Sequence, residues 1–211
     1  IKWVQVDLGE VMALDEVRLF PARPVDFPDT PGFGFPPRFK LEAADEASFR
    51  SPRLLMDHTR ADYPNPGDTP QVTALKGQKG RFVRVTAERL WKRAGDWVFA
   101  LAEMQVVSGG KVVSQGKPVT ALDSIEAGLW SRKFLVDGAT SRHVLPDDKA
   151  PEVSRAFSRW LGLQEALRAG RAAREAAIER LVPETLKAER KRLTVELTVL
   201  SAKRKSVTAS G

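Results

Sequence analysis

The chain has 211 residues, 42% of them hydrophobic, with no cysteine and only two histidines. Disulfides, thiolate nucleophiles and cysteine-ligated zinc are excluded, and little remains for a histidine-rich metal site. The formal net charge of +7 is unevenly placed: of 34 basic and 27 acidic residues, 13 and 7 lie in 151–211, leaving a nearly neutral 21 and 20 in the first 150, a poor match for phosphate backbones.

WVQVDLGEVMALDEVRLFP, residues 3 to 21, writes the first elements. Its alternation predicts two strands: Trp3, Val4, Val6 and Leu8 form one, Gly9-Glu10 turns the chain, and Leu14, Val17, Leu19 and Phe20 resume the pattern. Because it opens on Ile1, just before a strand, the chain reads as a piece of a longer protein, so the lack of a leader segment says nothing of the parent's compartment. No stretch approaches the roughly 20 apolar residues of a membrane-spanning helix. Two long loops follow, PVDFPDTPGFGFPP at 24 to 37 and YPNPGDTP at 63 to 70, both punctuated by Pro and Gly. RFVRVTAERL at 81 to 90 and FALAEMQVVSGG at 99 to 110 read as further strands, with the short loop WKRAGDW between them. SQGKPVTALDSIEAGLWSRKFLVDG, at 114 to 138, comes after the turn at Ser108-Gly109-Gly110.

Composition shifts at Asp147-Asp148, which places the domain boundary between residues 148 and 149. The tail, 149–211, is rich in Ala, Leu, Arg and Glu. Pro151-Glu152 starts a helix, Pro183 interrupts it, and Glu184-Thr185 starts a second, giving a helical hairpin. Leu186, Leu193 and Leu200 recur every seven residues with Leu197 between them, the seam of a helix that packs on a partner, so a protein partner is an alternative role for this part. Lys203, Arg204 and Lys205 close the tail, but the charge along both helices is mixed, which describes a solvated face; nucleic acid is not expected as a partner.

Together the strings at 3 to 21, 81 to 90 and 99 to 110 resemble the discoidin or F5/8 type C family. The resemblance implies an antiparallel, jelly-roll, galactose-binding-like β-sandwich over 1–148, mainly β, followed by the helical hairpin. The order is unusual for that family, because the opening-type segment GKPVTA and the DG motif at Asp137-Gly138 come last. Either the chain straddles two tandem modules, or 111–138 folds back and completes the first sandwich. The fold-back is expected, since a truncated sandwich would leave strand edges and apolar side chains open to water.

Sugar-binding members of that family use loops at one end of the sandwich, and the chemistry has a plain requirement. A flat apolar platform must lie beside paired donors and acceptors, because each hydroxyl stripped of water needs a replacement hydrogen bond. Three loops offer such groups: Asp26, Phe27, Asp29 and Phe33 in the first, where Phe33 is expected to plug the end of the sandwich, His58, Arg60, Asp62 and Tyr63 in the second, and Trp91, Arg93, Asp96 and Trp97 in WKRAGDW, the best of the three. Two uses remain open for WKRAGDW: rings that stack on a sugar, or rings that cap the core beside an exposed ion pair. The resemblance also implies a structural Ca²⁺, held by Asp137 of the DG motif and Glu103 of the closing strand. Nothing in the sequence sets paired carboxylates about a scissile bond, supplies a Gly-rich phosphate loop or builds a nucleophile elbow. The expected function is a non-catalytic module binding a glycan or polysaccharide, within a larger extracytoplasmic bacterial protein.

Overall fold

The computed structural model describes residues 1–145 and 151–208, and within the helices the side chains from 156 to 200 other than those at 158, 161, 165 and 168. The expected boundary at 148/149 lies outside the described residues, as do the side chains of Lys203, Arg204 and Lys205. The strands are β1 (Lys2–Phe20), β2 (Arg38–Ala44), β3 (Arg53–His58), β4 (Gln71–Arg89), β5 (Trp91–Lys92), β6 (Trp97–Val98), β7 (Glu103–Ser108), β8 (Lys111–Val112) and β9 (Val119–Ala121). A 3-10 helix, Arg132–Val136, precedes α1 (Pro151–Leu181) and α2 (Glu184–Thr208). The protein is thus an antiparallel β-sandwich followed by a helix pair.

β1 and β4 organise the sandwich. They run antiparallel from Lys2↔Ala87 to Leu19↔Gln71. The first half of β1 also pairs with β9, and its second half with β7. β2 flanks β4 and carries β3, while β8 follows β7. Val4, Val6 and Leu8 from one half of β1 and Leu14, Val17 and Leu19 from the other meet Phe39, Leu41, Val83, Val85, Met104 and Val106 in one buried core.

The expected turn at Gly9-Glu10 is a bulge instead. β1 continues through it, with residues 8–11 standing opposite Arg81 between the pairs Asp7↔Phe82 and Met12↔Gly80. Gly9 takes φ 94°, open to glycine at little cost, and the strand bends without leaving its ladder. Arg81 grips the Asp7 carboxylate through Nε (2.7 Å) and a terminal nitrogen (2.8 Å), while the Gly9 amide donates to the same carboxylate (2.8 Å). These bonds, led by the one from Arg81, hold the Asp7 carboxyl below its ordinary range despite partial burial.

The late segment folds back onto the body. Val119, Thr120 and Ala121 pair with Val6, Gln5 and Val4, and the ladder extends through Asp7 N–H to the Pro118 carbonyl (3.0 Å) and Leu122 N–H to the Trp3 carbonyl (3.1 Å). Leu135 and Val136 then enter the same core, and Gly116 N–H reaches the Val136 carbonyl (2.7 Å). Residues 111–138 therefore cover an edge of β1 that would otherwise lie open.

The chain divides into two compact units, Ile1–Leu161 and Gly162–Gly211. Within the first, Phe157 of α1 stacks on Phe20 (6.2 Å between centroids) and on Trp160 (5.5 Å). Within the second, α1 ends before Pro183, which cannot donate to the helix ladder, and the Glu179 carboxylate accepts from Arg190 across the break (2.8 Å). Leu186, Leu193, Leu197 and Leu200 are all exposed, between 49% and 65%. No described helix is long and apolar enough to cross a membrane.

Candidate ligand-binding cleft

WKRAGDW forms a small hairpin. Trp91 pairs with Val98 and Lys92 with Trp97, and Arg93 N–H donates to the Asp96 carbonyl (3.0 Å) to close the turn. Opposed residues share a face and neighbours alternate, so the two tryptophans point to opposite sides and make no common platform. Trp91 packs against Phe33 (5.3 Å), while Trp97 is exposed with the Lys92 ammonium over its ring (5.6 Å). The turn is pinned by a two-point Arg93–Asp96 ion pair, with Nε to Oδ1 at 2.9 Å. That pairing raises the Arg93 pKa further, against some desolvation.

Gly34 lets the hairpin sit close to the first loop. It holds φ +69°, its carbonyl accepts from Ala100 N–H (2.9 Å), and a Cβ there would lie 2.8 Å from the Ala100 Cβ and 2.9 Å from a Val98 methyl. The loop itself is tied down by Arg23, which bonds the Pro28 carbonyl (2.8 Å) and Asp68 (2.7 Å), and by Asn65, which bonds the Pro31 carbonyl (3.2 Å).

Between the hairpin and the folded-back segment lies a cleft of about 620 Å³. Phe27, Phe33, Arg93, Asp96 and Trp97 line it on the hairpin side, and Lys2, Trp3, Asp123, Ser124, Ile125, Trp130, Ser131 and Arg132 on the other. The Arg93 guanidinium lies over Phe27 (5.1 Å) and Phe33 (5.7 Å), and Trp130 packs against Phe33 (5.7 Å). Lys2 bonds Asp123, and Glu126 holds the opposite corner through Ser131, Arg132 N–H (3.4 Å) and the Arg132 side chain (3.6 Å). The hydrogen bond from Ser131 is the main cause that lowers the Glu126 pKa. Aromatic faces, hydroxyls and charged donors and acceptors thus face one volume, in the size range of small-molecule sites, about 300–1,000 Å³.

Of the residues singled out from sequence, Phe27, Arg93, Asp96 and Trp97 line this cleft, the buried Phe33 forms part of its wall, and Trp91 supports it through Phe33. The others do not line it. Tyr63 packs on Phe35, Phe39 and His58 at 4.7–5.9 Å, and Arg60 and Asp29 are exposed elsewhere on their loops. Beside them, Asp62 bridges Arg38 (2.6 Å) and Arg89 (2.8 Å). Among the lining residues with no ligand role expected from sequence are Trp3, Trp130, Ser131 and the Lys2–Asp123 pair. Trp130 carried the one available signal, because the fold-back requires it to close against the body.

The DG turn and the closing strand do come together. Glu103 is fully buried, and Gly138 N–H donates to its Oε1 (3.2 Å), while Oε2 has no hydrogen-bond partner among the described residues. Burial pushes its pKa up to about 9, against the hydrogen bond from Gly138, and the neighbouring Asp137 charge adds to the rise. A carboxyl this deep must carry a proton or a cation. Asp137 Oδ1 accepts from Ala139 N–H (3.0 Å), and among the described residues no group of three or more His, Cys, Asp or Glu could hold a metal ion, so the buried Oε2 is the one feature here that fits a hard cation such as Ca²⁺.

Fold and cleft together define an antiparallel β-sandwich with a polar, aromatic-lined site built from its loops. No protein-family model matches the chain, and no curated protein matches it. Among solved structures the chain is similar to one described as CpGH89CBM32-6 produced by Clostridium perfringens, at 16% identity and TM-score 0.35, over 51% of this chain and 68% of that one. It is also similar to the C-terminal domain of a chitobiase from Bacteroides fragilis, at 14% identity and TM-score 0.35, over 51% of this chain and 64% of that one.

Proposed function

We propose that the chain is a non-catalytic carbohydrate-binding module of a larger extracytoplasmic bacterial protein. The observation that carries this reading is the cleft itself, whose lining brings the Trp97 and Trp130 rings together with the Arg93–Asp96 and Lys2–Asp123 pairs over a buried Phe33. Ring faces accept the apolar face of a pyranose, while the ion pairs and the Ser124 and Ser131 hydroxyls exchange hydrogen bonds with its hydroxyls. Asp96 and Asp123 are each engaged by a cation, and their remaining oxygen lone pairs can accept from a bound hydroxyl. Glu103 and Asp137 would hold a structural Ca²⁺, whose chemistry there is to neutralise the buried carboxyl and tie the 137–141 turn to β7. Glycan-array binding by the wild type that disappears in Trp97→Ala is the expected result; equal binding by the two proteins would reject the site.

The exposed leucines of α2 favour a second, compatible role in assembly. Sedimentation of the full chain beside a Leu193→Asp, Leu200→Asp variant tests it: a drop in mass supports self-association through the seam, and identical masses oppose it.

A further inference from the structure

The cleft has a second compartment. A cavity of about 300 Å³, lined among others by Val25, Leu129 and Phe134, shares Leu101, Trp130 and Ser131 with the larger one. Leu129 and Ile125, from the loop before the 3-10 helix, are 71% and 68% exposed on the cavity rims, a placement with no role in the core. The larger compartment alone exceeds one sugar ring: even at the roughly 30 Å³ per molecule of liquid water, the twelve heavy atoms of a hexose would fill only about 360 Å³.

The charges select as well. Each cation lining the larger compartment has its own carboxylate: Lys2 has Asp123, Arg93 has Asp96, and Arg132 has Glu126. A bound anion would have to compete with those carboxylates or lie against them, whereas a neutral hydroxyl can bond to either member of a pair without breaking it.

Resting on the saccharide reading above, we infer that the ligand is a neutral oligosaccharide of at least two residues, laid across Trp130 with one ring beside Trp97 and the next beside Leu129 and Phe134. The Ser141 hydroxyl, which donates to the Arg23 carbonyl, keeps lone pairs to accept from the second ring, and the apolar wall takes its C–H face.

Titration calorimetry with neutral β-1,4-linked gluco-, manno- and galacto-oligosaccharides, from mono- to tetrasaccharide, and with the α-1,4-linked pair of digalacturonate and its neutral counterpart galactobiose tests this. In the series that binds, the trisaccharide should bind about tenfold or more tighter than the monosaccharide, with digalacturonate weaker than its neutral counterpart. Leu129→Asp, at an exposed position, should remove that gain and leave monosaccharide affinity unchanged, while Trp97→Ala should weaken every member. Equal affinity at all lengths, no effect of Leu129→Asp, or tighter binding of digalacturonate would overturn the inference while leaving the saccharide reading in place. Binding of no saccharide by the wild type would overturn that reading and the inference with it.

Discussion

The two units of this chain spend their apolar residues in opposite ways. In Ile1–Leu161, residues from distant parts of the sequence converge: Val4, Leu19, Phe39, Val85, Met104 and Leu135 lie in one core. In Gly162–Gly211, regularly spaced leucines stay exposed. Apolar periodicity thus states which residues share a face and leaves open whether the face is covered. The sandwich has a buried core and a cleft of its own, whereas the leucines of the helical seam are exposed.

The sharpest test of that contrast is a pair of truncations. Leu135→Ala removes a buried anchor of the folded-back segment and should cost about 2–5 kcal/mol in urea unfolding, whereas Leu193→Ala should stay within about 0.5 kcal/mol in the isolated chain. A comparable loss from both would erase the distinction. Gly34→Ala adds a methyl where the hairpin meets the first loop, at positive φ, and should cost about 1–3 kcal/mol and reduce saccharide binding together. Unchanged stability would show that the contact is dispensable.

Trp97→Ala should separate site from scaffold. Its exposed ring contributes little to the core, so the melting temperature should hold while binding is lost; a large fall in melting temperature would make Trp97 structural. If Glu103 and Asp137 take a cation, Ca²⁺ should raise the melting temperature relative to EDTA, and Glu103→Gln should abolish the difference. The smallest effect concerns the bulge. The folded Asp7 carboxyl has a lowered pKa, so its contribution is present above the ordinary carboxylate range and is lost as pH falls through the folded value. Asp7→Asn should therefore flatten the acid limb of stability against pH by about 1 kcal/mol or less, as expected for a partly exposed pair.

Much of the sandwich was legible because period-two patterning at 3 to 21, 81 to 90 and 99 to 110 is local. Gly9 was not, since a glycine at positive φ serves a turn or a bulge equally, and only β4 bending alongside decides between them. In the cleft, Arg93, Asp96 and Trp97 could be found because a short hairpin holds its own ends together. The opposition of Trp91 and Trp97 needed the register of that hairpin, and the pairing of Lys2 with Asp123 needed the far end of the fold. Tyr63 shows the remaining ambiguity: an aromatic in a Pro-rich loop looks the same in sequence whether it meets a ligand or, as here, Phe35, Phe39 and His58.

The most direct measurement is an amide NMR titration of the full chain with the oligosaccharide series. Shifts gathered at residues 93–101 and 122–132, two stretches that only the folded-back arrangement joins, are the predicted result. Shifts confined to the loop around Arg60 and Tyr63, or to one of the two stretches alone, would contradict it.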